Sequence, residues 1–174
     1  MNINKPFDIK TRNKAILAFV ILLVITIVSV VTASLTQRGF GRIEVSNVRY
    51  LNYNNIPIRA KLLCPAGITS ENPAPGIVYV HGYQNNRETS DPYCIELARR
   101  GFVVINIDAL GRGNSGNPGD LSDPEFDITY GTLSSLKYLR ALPYVNASYT
   151  GLMGHSLGSE MCYTVALKDP GLKA

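Results

Sequence analysis

The chain has 174 residues, 45% of them hydrophobic, and its formal net charge of +4 arises partly in a basic N-terminal stretch. This length allows one domain and not two, and no Lys/Arg run elsewhere indicates nucleic-acid binding. Three cysteines and two histidines show no metal-ligand spacing, so we predict no metal and no cofactor. The cysteines are expected to be core thiols, with one disulfide as the alternative.

The first predicted element is an apolar segment without a charge, residues 15–36. About 20 helical residues cross the hydrocarbon layer of a membrane, so we predict a transmembrane signal-anchor helix in contact with lipid. A buried soluble helix is the first alternative, although one so apolar on every face is unusual in a small domain. A cleaved signal peptide is the second, but the run exceeds the usual length of its apolar region.

The charges that flank this segment predict its orientation. Four basic residues precede it and two follow it: Lys5, Lys10, Arg12, Lys14, Arg38 and Arg42. The heavier basic flank favours the cytoplasm. We therefore expect residues 1–14 to be a cytoplasmic tail and residues 37–174 to lie on the extracytoplasmic side.

Two strands are predicted next, over residues 42–50 and 56–64, around a turn-rich stretch of asparagines. Apolar residues alternate with Arg59 and Lys61 in the second strand, which is typical of a half-exposed antiparallel strand. This part of the chain is expected to form an antiparallel hairpin.

The pattern then changes to near-continuous apolar runs, residues 76–80 and 102–107, which is typical of parallel strands covered on both faces. Between them a helix is predicted over residues 91–100, with Asp91 placed as its cap and Gly101 ending it. Such a strand–helix–strand order predicts a parallel sheet with right-handed crossovers.

Three more elements follow. A helix is predicted over residues 128–142, with leucines 133, 136, 139 and 142 on one side. A short strand, 150–153, and a third helix behind Ser156 complete the order. The fold class expected is α/β, a mostly parallel sheet with an N-terminal antiparallel hairpin, preceded by one transmembrane helix.

The sequence Gly154-His155-Ser156-Leu157-Gly158 matches G-x-S-x-G at the junction of the last strand and helix. A nucleophile elbow requires this setting, because a very tight turn between strand and helix accepts only small residues two positions from the serine. We predict Ser156 as a nucleophile. A plain turn that caps the helix is the alternative.

Two backbone amides are candidates for an oxyanion hole. The helix behind Ser156 offers the amide of Leu157 together with the positive end of its dipole. His81-Gly82-Tyr83 follows directly on an apolar strand, where a second donor is needed, and the amide of Tyr83 is the candidate. The imidazole of His81 is expected to be structural.

A glycine-rich loop, residues 108–116, follows the other central strand. It lacks the GK[ST] ending of a phosphate-binding loop, so that function is set aside. Asp108 is expected to hold Arg112 in a structural ion pair, or to bind loop amides.

The segments VYVHGYQNNR, VVINIDALGRGNSG and GLMGHSLGS, in this order and spacing, resemble the α/β-hydrolase superfamily. Within it they are similar to dienelactone hydrolase-like and prolyl-oligopeptidase-like esterases and peptidases. The resemblance covers about residues 50–168 and is specific for the superfamily, not for a substrate. It implies an α/β-hydrolase fold, Ser156 as nucleophile, Tyr83 and Leu157 as oxyanion donors, and an acyl-enzyme intermediate.

The family's triad acid and histidine follow the nucleophile on later strands. His155 is expected to point away from the Ser156 hydroxyl, because adjacent side chains at a strand end face opposite sides. Four acids precede the serine, in the wrong order for a triad: Asp120, Asp123, Glu125 and Asp127. We therefore expect residues 37–174 to be the front half of a hydrolase domain, poorly folded or nearly inactive alone, with a short complete protein as the alternative.

Two functions are predicted. The first is a membrane-anchored serine hydrolase that cleaves carboxylic esters, or less readily peptides, outside the cytoplasm. The second is a non-catalytic surface or adhesion protein, or an inactive fragment, that reuses the fold; such proteins usually lose the serine or the elbow glycines.

Overall fold

The computed structural model describes residues 9–172, so most of the predicted basic tail, residues 1–8, lies outside the described residues. The chain divides into two units, residues 1–36 and residues 37–174. Each is described by itself below.

The first unit is the helix α1, Ile9–Gln37, which contains the whole of the predicted apolar segment. None of its residues is buried. The Thr26 hydroxyl donates to the carbonyl of Leu22 at 2.9 Å, as a helix without polar neighbours requires. The helix is long and apolar enough to cross a membrane, and a signal sequence near an N-terminus has the same properties.

The second unit is built on a five-stranded sheet with the order β1-β2-β4-β3-β5. β1 and β2 form the predicted antiparallel hairpin, and β2 is also antiparallel to β4. β3 pairs in parallel with β4 on one side and with β5 on the other. The strands are Ile43–Leu51, Pro57–Pro65, Ala74–Val80, Val103–Ile107 and Val145–Gly154. This is the mixed sheet with an N-terminal antiparallel hairpin that the sequence predicted, although two of the four pairings among the described strands, and not most of them, are parallel.

Helices cover both faces of the sheet. α2, Asp91–Arg99, packs Cys94 and Ala98 against one face. α3, Thr132–Arg140, and α4, Leu157–Lys168, pack against the opposite face over a larger apolar core. The two central strands β3 and β4 contribute alternate residues to both cores, as expected for strands buried on both sides.

All three cysteines are free thiols, as predicted. Cys94 lies in the core beneath α2, and Cys64 and Cys162 are partly buried against the larger core. Burial raises the pKa of the Cys94 thiol, which makes it a poor nucleophile.

The predicted cap of α2 is wrong. Ser90 occupies the N-cap position, and Asp91 is already in the first turn. Its carboxylate instead accepts hydrogen bonds from Lys61 at 2.6 Å and from Asn106 at 3.1 Å. Asp91 therefore joins the start of α2 to β2 and β4, because two partners on the sheet compete successfully with the local helix amides.

α3 begins four residues later than predicted, at Thr132. The carboxylate of Asp127 binds the backbone amides of Thr129 and Gly131, each at 3.0 Å, and so closes a turn before the helix. Tyr130 and Gly131 both have positive φ, at 49° and 89°, which a right-handed helix excludes. The predicted apolar side is confirmed, with Leu136 and Leu139 fully buried.

β5 is longer than predicted and starts at Val145. Val145 pairs with Ala74 before an irregularity in the register, and regular pairing resumes at Thr150. The intervening residues 147–149 are exposed, so they carry no apolar pattern that would have predicted a strand.

Candidate active site

The site is organised around Ser156, which connects the end of β5 to the start of α4. Its backbone has φ 54° and ψ −122°. This conformation lies outside the left-handed helical region, and L-residues normally avoid it. Holding a side chain there costs roughly 1–3 kcal/mol, and such strain concentrates at functional sites. The side chain is exposed. The serine is therefore held in a strained turn with its hydroxyl accessible.

Two glycines permit the backbone to close around this turn. A Cβ atom on Gly154 would lie 2.4 Å from the carbonyl of Gly158, and one on Gly158 would lie 2.2 Å from the carbonyl oxygen of Val80. Real Cβ atoms do not approach backbone so closely. Both glycines of the motif are thus required by contact and not by conformational freedom, as the elbow interpretation predicts.

Further hydrogen bonds hold the elbow against the neighbouring strand. The amide of His155 donates to the carbonyl of Val80 at 3.1 Å. The hydroxyl of Ser159 donates to the carbonyl of Gly154 at 2.9 Å and closes the turn from the helix side. The end of β5 is in this way fixed beside the end of β3, from which the loop His81-Gly82-Tyr83 continues.

Tyr83 and Leu157 both line one small cavity of about 30 Å³. Within the described residues neither amide donates a hydrogen bond to a protein acceptor. The cavity can hold about one water or one carbonyl group. Ser156 precedes Leu157 directly but does not line the cavity. Two residues with free backbone N–H groups beside one cavity are compatible with the predicted oxyanion hole.

His81 holds the loop that carries the Tyr83 amide. It is 2% exposed; its Nδ1 donates to the carbonyl of Gly82 at 2.7 Å, and its Nε2 accepts from the amide of Ala109 at 3.1 Å. One ring nitrogen that donates and one that accepts define a neutral imidazole. The structural role predicted for His81 is confirmed, and both of its ring nitrogens are occupied.

Burial lowers the pKa of His81 below its ordinary value of 6.5, and the nearby Arg112 adds to this, against the opposing effects of the Gly82 carbonyl and Asp108. In the unfolded chain the imidazole binds a proton more readily. The free energy of unfolding is therefore expected to fall as the pH drops through 6.5, by at most about 1.4 kcal/mol per pH unit for this one proton. Thermal unfolding between pH 7.5 and 5.5 measures this dependence.

The matched variants for this measurement are His81→Asn and His155→Asn, since the chain has only two histidines. His81→Asn should flatten the pH dependence of the melting temperature, whereas replacing the exposed His155 should leave it as in the wild type. Equal flattening by both variants would show that the buried imidazole is not the group responsible.

The predicted pairing of Asp108 with Arg112 is wrong. Asp108 is 1% exposed and accepts hydrogen bonds from the backbone amides of Arg87 and Asn114, each at 2.9 Å. Its nearest cation is the guanidinium of Arg87, at 3.5 Å. The alternative prediction, that Asp108 binds loop amides, is the one confirmed. A Cβ on Gly113 would lie 2.2 Å from the carboxylate carbon, so the glycines let the loop wrap the acid.

Arg112 lies instead against the loop His81-Gly82-Tyr83. Its Nε donates to the carbonyl of Tyr83, and its guanidinium stands 4.5 Å from the centre of the Tyr83 ring. The sequence predicted neither this contact nor the pairing of Arg87 with Asp108, because in both cases the two partners are far apart in the sequence. Both depend on loops that follow different strands and meet at the same edge of the sheet.

No described histidine contacts the Ser156 hydroxyl. His155 is exposed, and its Nδ1 lies 3.1 Å from the place where a Cβ of Gly82 would be, beside the loop His81-Gly82-Tyr83. The buried acid nearest in sequence, Asp127, is occupied by the amides before α3. Among residues 9–172, then, Leu157 directly follows the candidate nucleophile and shares a cavity with Tyr83, and no histidine forms a hydrogen bond with the Ser156 hydroxyl.

Comparison with known proteins supports this description of the fold. No protein-family model matches the sequence. The chain is 31% identical over 133 residues to the uncharacterized protein YcjY of Escherichia coli (strain K12), which aligns 74% of this chain with 43% of that protein.

Two solved structures resemble the chain closely in fold. Hypothetical protein PA2218 from Pseudomonas aeruginosa has a TM-score of 0.67 and 26% identity, over 76% of this chain and 41% of that one. Acetyl xylan esterase from Paenibacillus sp. R4 has a TM-score of 0.65 and 22% identity, over 76% of this chain and 47% of that one. The chain spans less than half the length of each of these three proteins. Over the part that is matched, the chain has the α/β-hydrolase fold.

Proposed function

We propose that this chain carries the nucleophile half of a serine hydrolase that cleaves carboxylic esters. The single observation that supports this most directly is the backbone of Ser156, at φ 54° and ψ −122°, closed in by two glycines that no larger residue can replace. Strain of this kind persists only where surrounding structure enforces it, and a turn that merely capped a helix would not need it.

In the proposed reaction the Ser156 oxygen attacks the acyl carbon of the ester and loses its proton to a base. The amides of Tyr83 and Leu157 donate to the carbonyl oxygen as it becomes negative, and the alcohol leaves with a proton. Water then attacks the acyl-enzyme, releases the acid and restores the serine. A histidine and an acid are needed for full speed, and no described residue takes either role.

An ester substrate is supported by the fold that the chain shares with an acetyl xylan esterase. Hydrolysis of a peptide by the same machinery is the second reaction that Ser156 could perform, and the resemblance to prolyl-oligopeptidase-like enzymes favours it as the lesser candidate. A non-catalytic role agrees less well with the site, because the serine, both elbow glycines and two unsatisfied amides are all present.

We further propose that α1 anchors the hydrolase unit in a membrane, with residues 1–14 on the cytoplasmic side. The helix has no buried residue and no charge between Ala15 and Thr36. Such a surface is compatible with lipid and costly to expose to water.

The experiment is covalent labelling of the 174-residue chain by a fluorophosphonate, with the modified peptide located by mass spectrometry. Label is expected on Ser156, slowly, because without a base only the oxyanion donors and binding accelerate the reaction. Added imidazole should speed the labelling by supplying a proton acceptor. Label on other serines, or none with imidazole present, would contradict the proposal.

Two variants sharpen this experiment. Ser156→Ala should abolish the label on the protein. Imidazole should then have no effect on labelling, and should only consume the probe by reacting with it in solution. Ser148→Ala, on an exposed position of the same strand, should leave both unchanged. Labelling without imidazole at the rate of a complete serine esterase would mean that a base does reach Ser156.

A further inference from the structure

The hydrolase unit has two distinct ends, and the chain enters it at the end away from Ser156. The parallel strands β3 and β5 finish at Val80 and Gly154, beside the elbow. Ile43, the first residue of β1, pairs with Pro65 at the opposite end, next to the start of β4. β3 has seven residues, so these two ends of the sheet are about 20 Å apart.

The residues between the end of α1 and the start of β1 are bound to this end of the sheet. The amide of Ile43 donates to the carbonyl of Arg38 at 3.1 Å, and the amide of Ala66 donates to the carbonyl of Arg42 at 2.8 Å. Gly39 is buried, and a Cβ there would lie 3.2 Å from Ile43. The turn 38–42 is thus part of the hydrolase unit, which begins at Gln37, the last residue of α1.

This turn presents an aromatic ring between two cations. Phe40 is 69% exposed and adopts φ 57° and ψ 43° between two glycines that also have positive φ. Arg38 and Arg42 are exposed, and within residues 9–172 neither side chain has a hydrogen-bonded or ionic partner. A bulky residue in a left-handed conformation with its ring in solvent has no explanation in the packing of the unit.

We propose that Arg38, Phe40 and Arg42 form a surface that contacts phospholipid headgroups, with the ring at the acyl boundary and the guanidinium groups on phosphate. Arginine binds phosphate through paired hydrogen bonds, and aromatic and basic residues together favour the membrane interface. This inference rests on the proposed anchoring by α1. Only the covalent connection at Gln37 is needed to bring these residues to the membrane surface.

The consequence concerns the substrate. With residues 38–42 at the headgroups, Ser156 lies at the far end of the sheet and opens to the aqueous phase. The substrate class is then water-soluble esters, and not the acyl chains of lipids in the membrane that holds the enzyme. The two requirements, contact at one end and access at the other, are separable by experiment.

The test places a fluorophore on a cysteine at either end of the unit in the full chain, reconstituted in nanodiscs that contain a quencher on the lipid headgroup. Cys64 and Cys162 are first replaced by serine, and buried Cys94 is kept. The label at Ala66→Cys should lose fluorescence as the quencher fraction rises, and the label at Asn114→Cys should not. Equal quenching at both positions, quenching only at position 114, or quenching at neither would overturn the proposal.

A matched pair of triple variants tests the residues themselves. Phe40→Ser with Arg38→Gln and Arg42→Gln should reduce quenching at position 66 while the chain stays in the nanodisc. The control makes the same kind of change at the other end of the hairpin, with Leu51→Ser, Arg49→Gln and Arg59→Gln, all exposed. It should leave the quenching unchanged. Unchanged quenching in the first triple variant would also count against the surface.

Labelling of Ser156 separates this inference from the proposed function. In the same nanodiscs a water-soluble fluorophosphonate should label Ser156 with imidazole present, and a fluorophosphonate carried on a phospholipid should not. Label from the lipid-borne probe would refute the orientation and leave the hydrolase intact. If neither probe reacts while position 66 is still quenched, the proposed function fails and the lipid contact stands.

Discussion

Gly158→Ala is expected to destroy the elbow, since the new methyl group would lie 2.2 Å from the carbonyl oxygen of Val80 and 2.7 Å from that of His81. Both contacts are with backbone, which cannot rotate away as a side chain would. The end of β3 or the start of α4 must therefore move. We expect a loss of at least about 3 kcal/mol, at the upper end of the usual range for overpacking.

Thermal unfolding in detergent measures this loss, and the melting temperature should fall by roughly 10 °C or more. Gly171→Ala is the matched control, because its new methyl group would meet only side-chain atoms, those of Asp169 at 3.1 Å and Arg140 at 3.7 Å. Labelling of Ser156 by a fluorophosphonate should disappear in Gly158→Ala and persist in the control. A Gly158→Ala chain that is stable and still reacts would contradict this prediction. It would mean that the backbone of the elbow can move apart far enough to accept the new methyl group.

The framework of the fold could be predicted because its signals are local. Three strands were predicted within one or two residues of their observed bounds. β3 and β4 were recognised by their apolar runs, and β2 by its alternation of apolar and charged residues. A strand buried on both faces is a continuous apolar run, and a strand buried on one face alternates apolar and polar residues. Both patterns can be recognised in a single sequence.

The two errors that concern carboxylates share one physical cause, which is competition from partners distant in sequence. Asp91 was expected to cap α2 and instead binds Lys61, thirty residues earlier. Asp108 was expected to pair with Arg112, four residues on, and its cation is Arg87. In both cases a carboxylate has several acceptable partners, and the fold decides which of them comes near.

The candidate site also has a part that local sequence predicted and a part that depends on distant residues. Ser156 and its two glycines are contiguous, so the motif predicted their arrangement. The role of His81 was predicted only in kind, because its acceptor contact with Ala109 depends on the ends of β3 and β4 lying side by side. The strain at Ser156 is a backbone property that follows from the contacts of Gly154 and Gly158.

That strain provides the second prediction, a comparison of Ser156→Gly with Ser156→Ala. Both variants lose the hydroxyl and should lose all labelling and ester turnover at this position. They should differ in stability, because glycine adopts φ 54° and ψ −122° without a steric penalty and alanine keeps that penalty.

The strain relieved in Ser156→Gly, roughly 1–3 kcal/mol, is partly offset by the greater freedom of glycine in the unfolded chain, roughly 0.5–1 kcal/mol. A net gain of about 1 kcal/mol is expected over wild type, and Ser156→Ala should stay close to wild type. Melting temperatures of the three chains measured side by side decide the matter. If glycine and alanine melt together, the backbone at position 156 is relaxed in solution, and the strongest argument for a nucleophile at this turn is lost. If glycine alone melts higher, the protein maintains a strained serine at the cost of its own stability, which is reasonable only where the exposed hydroxyl has a chemical task.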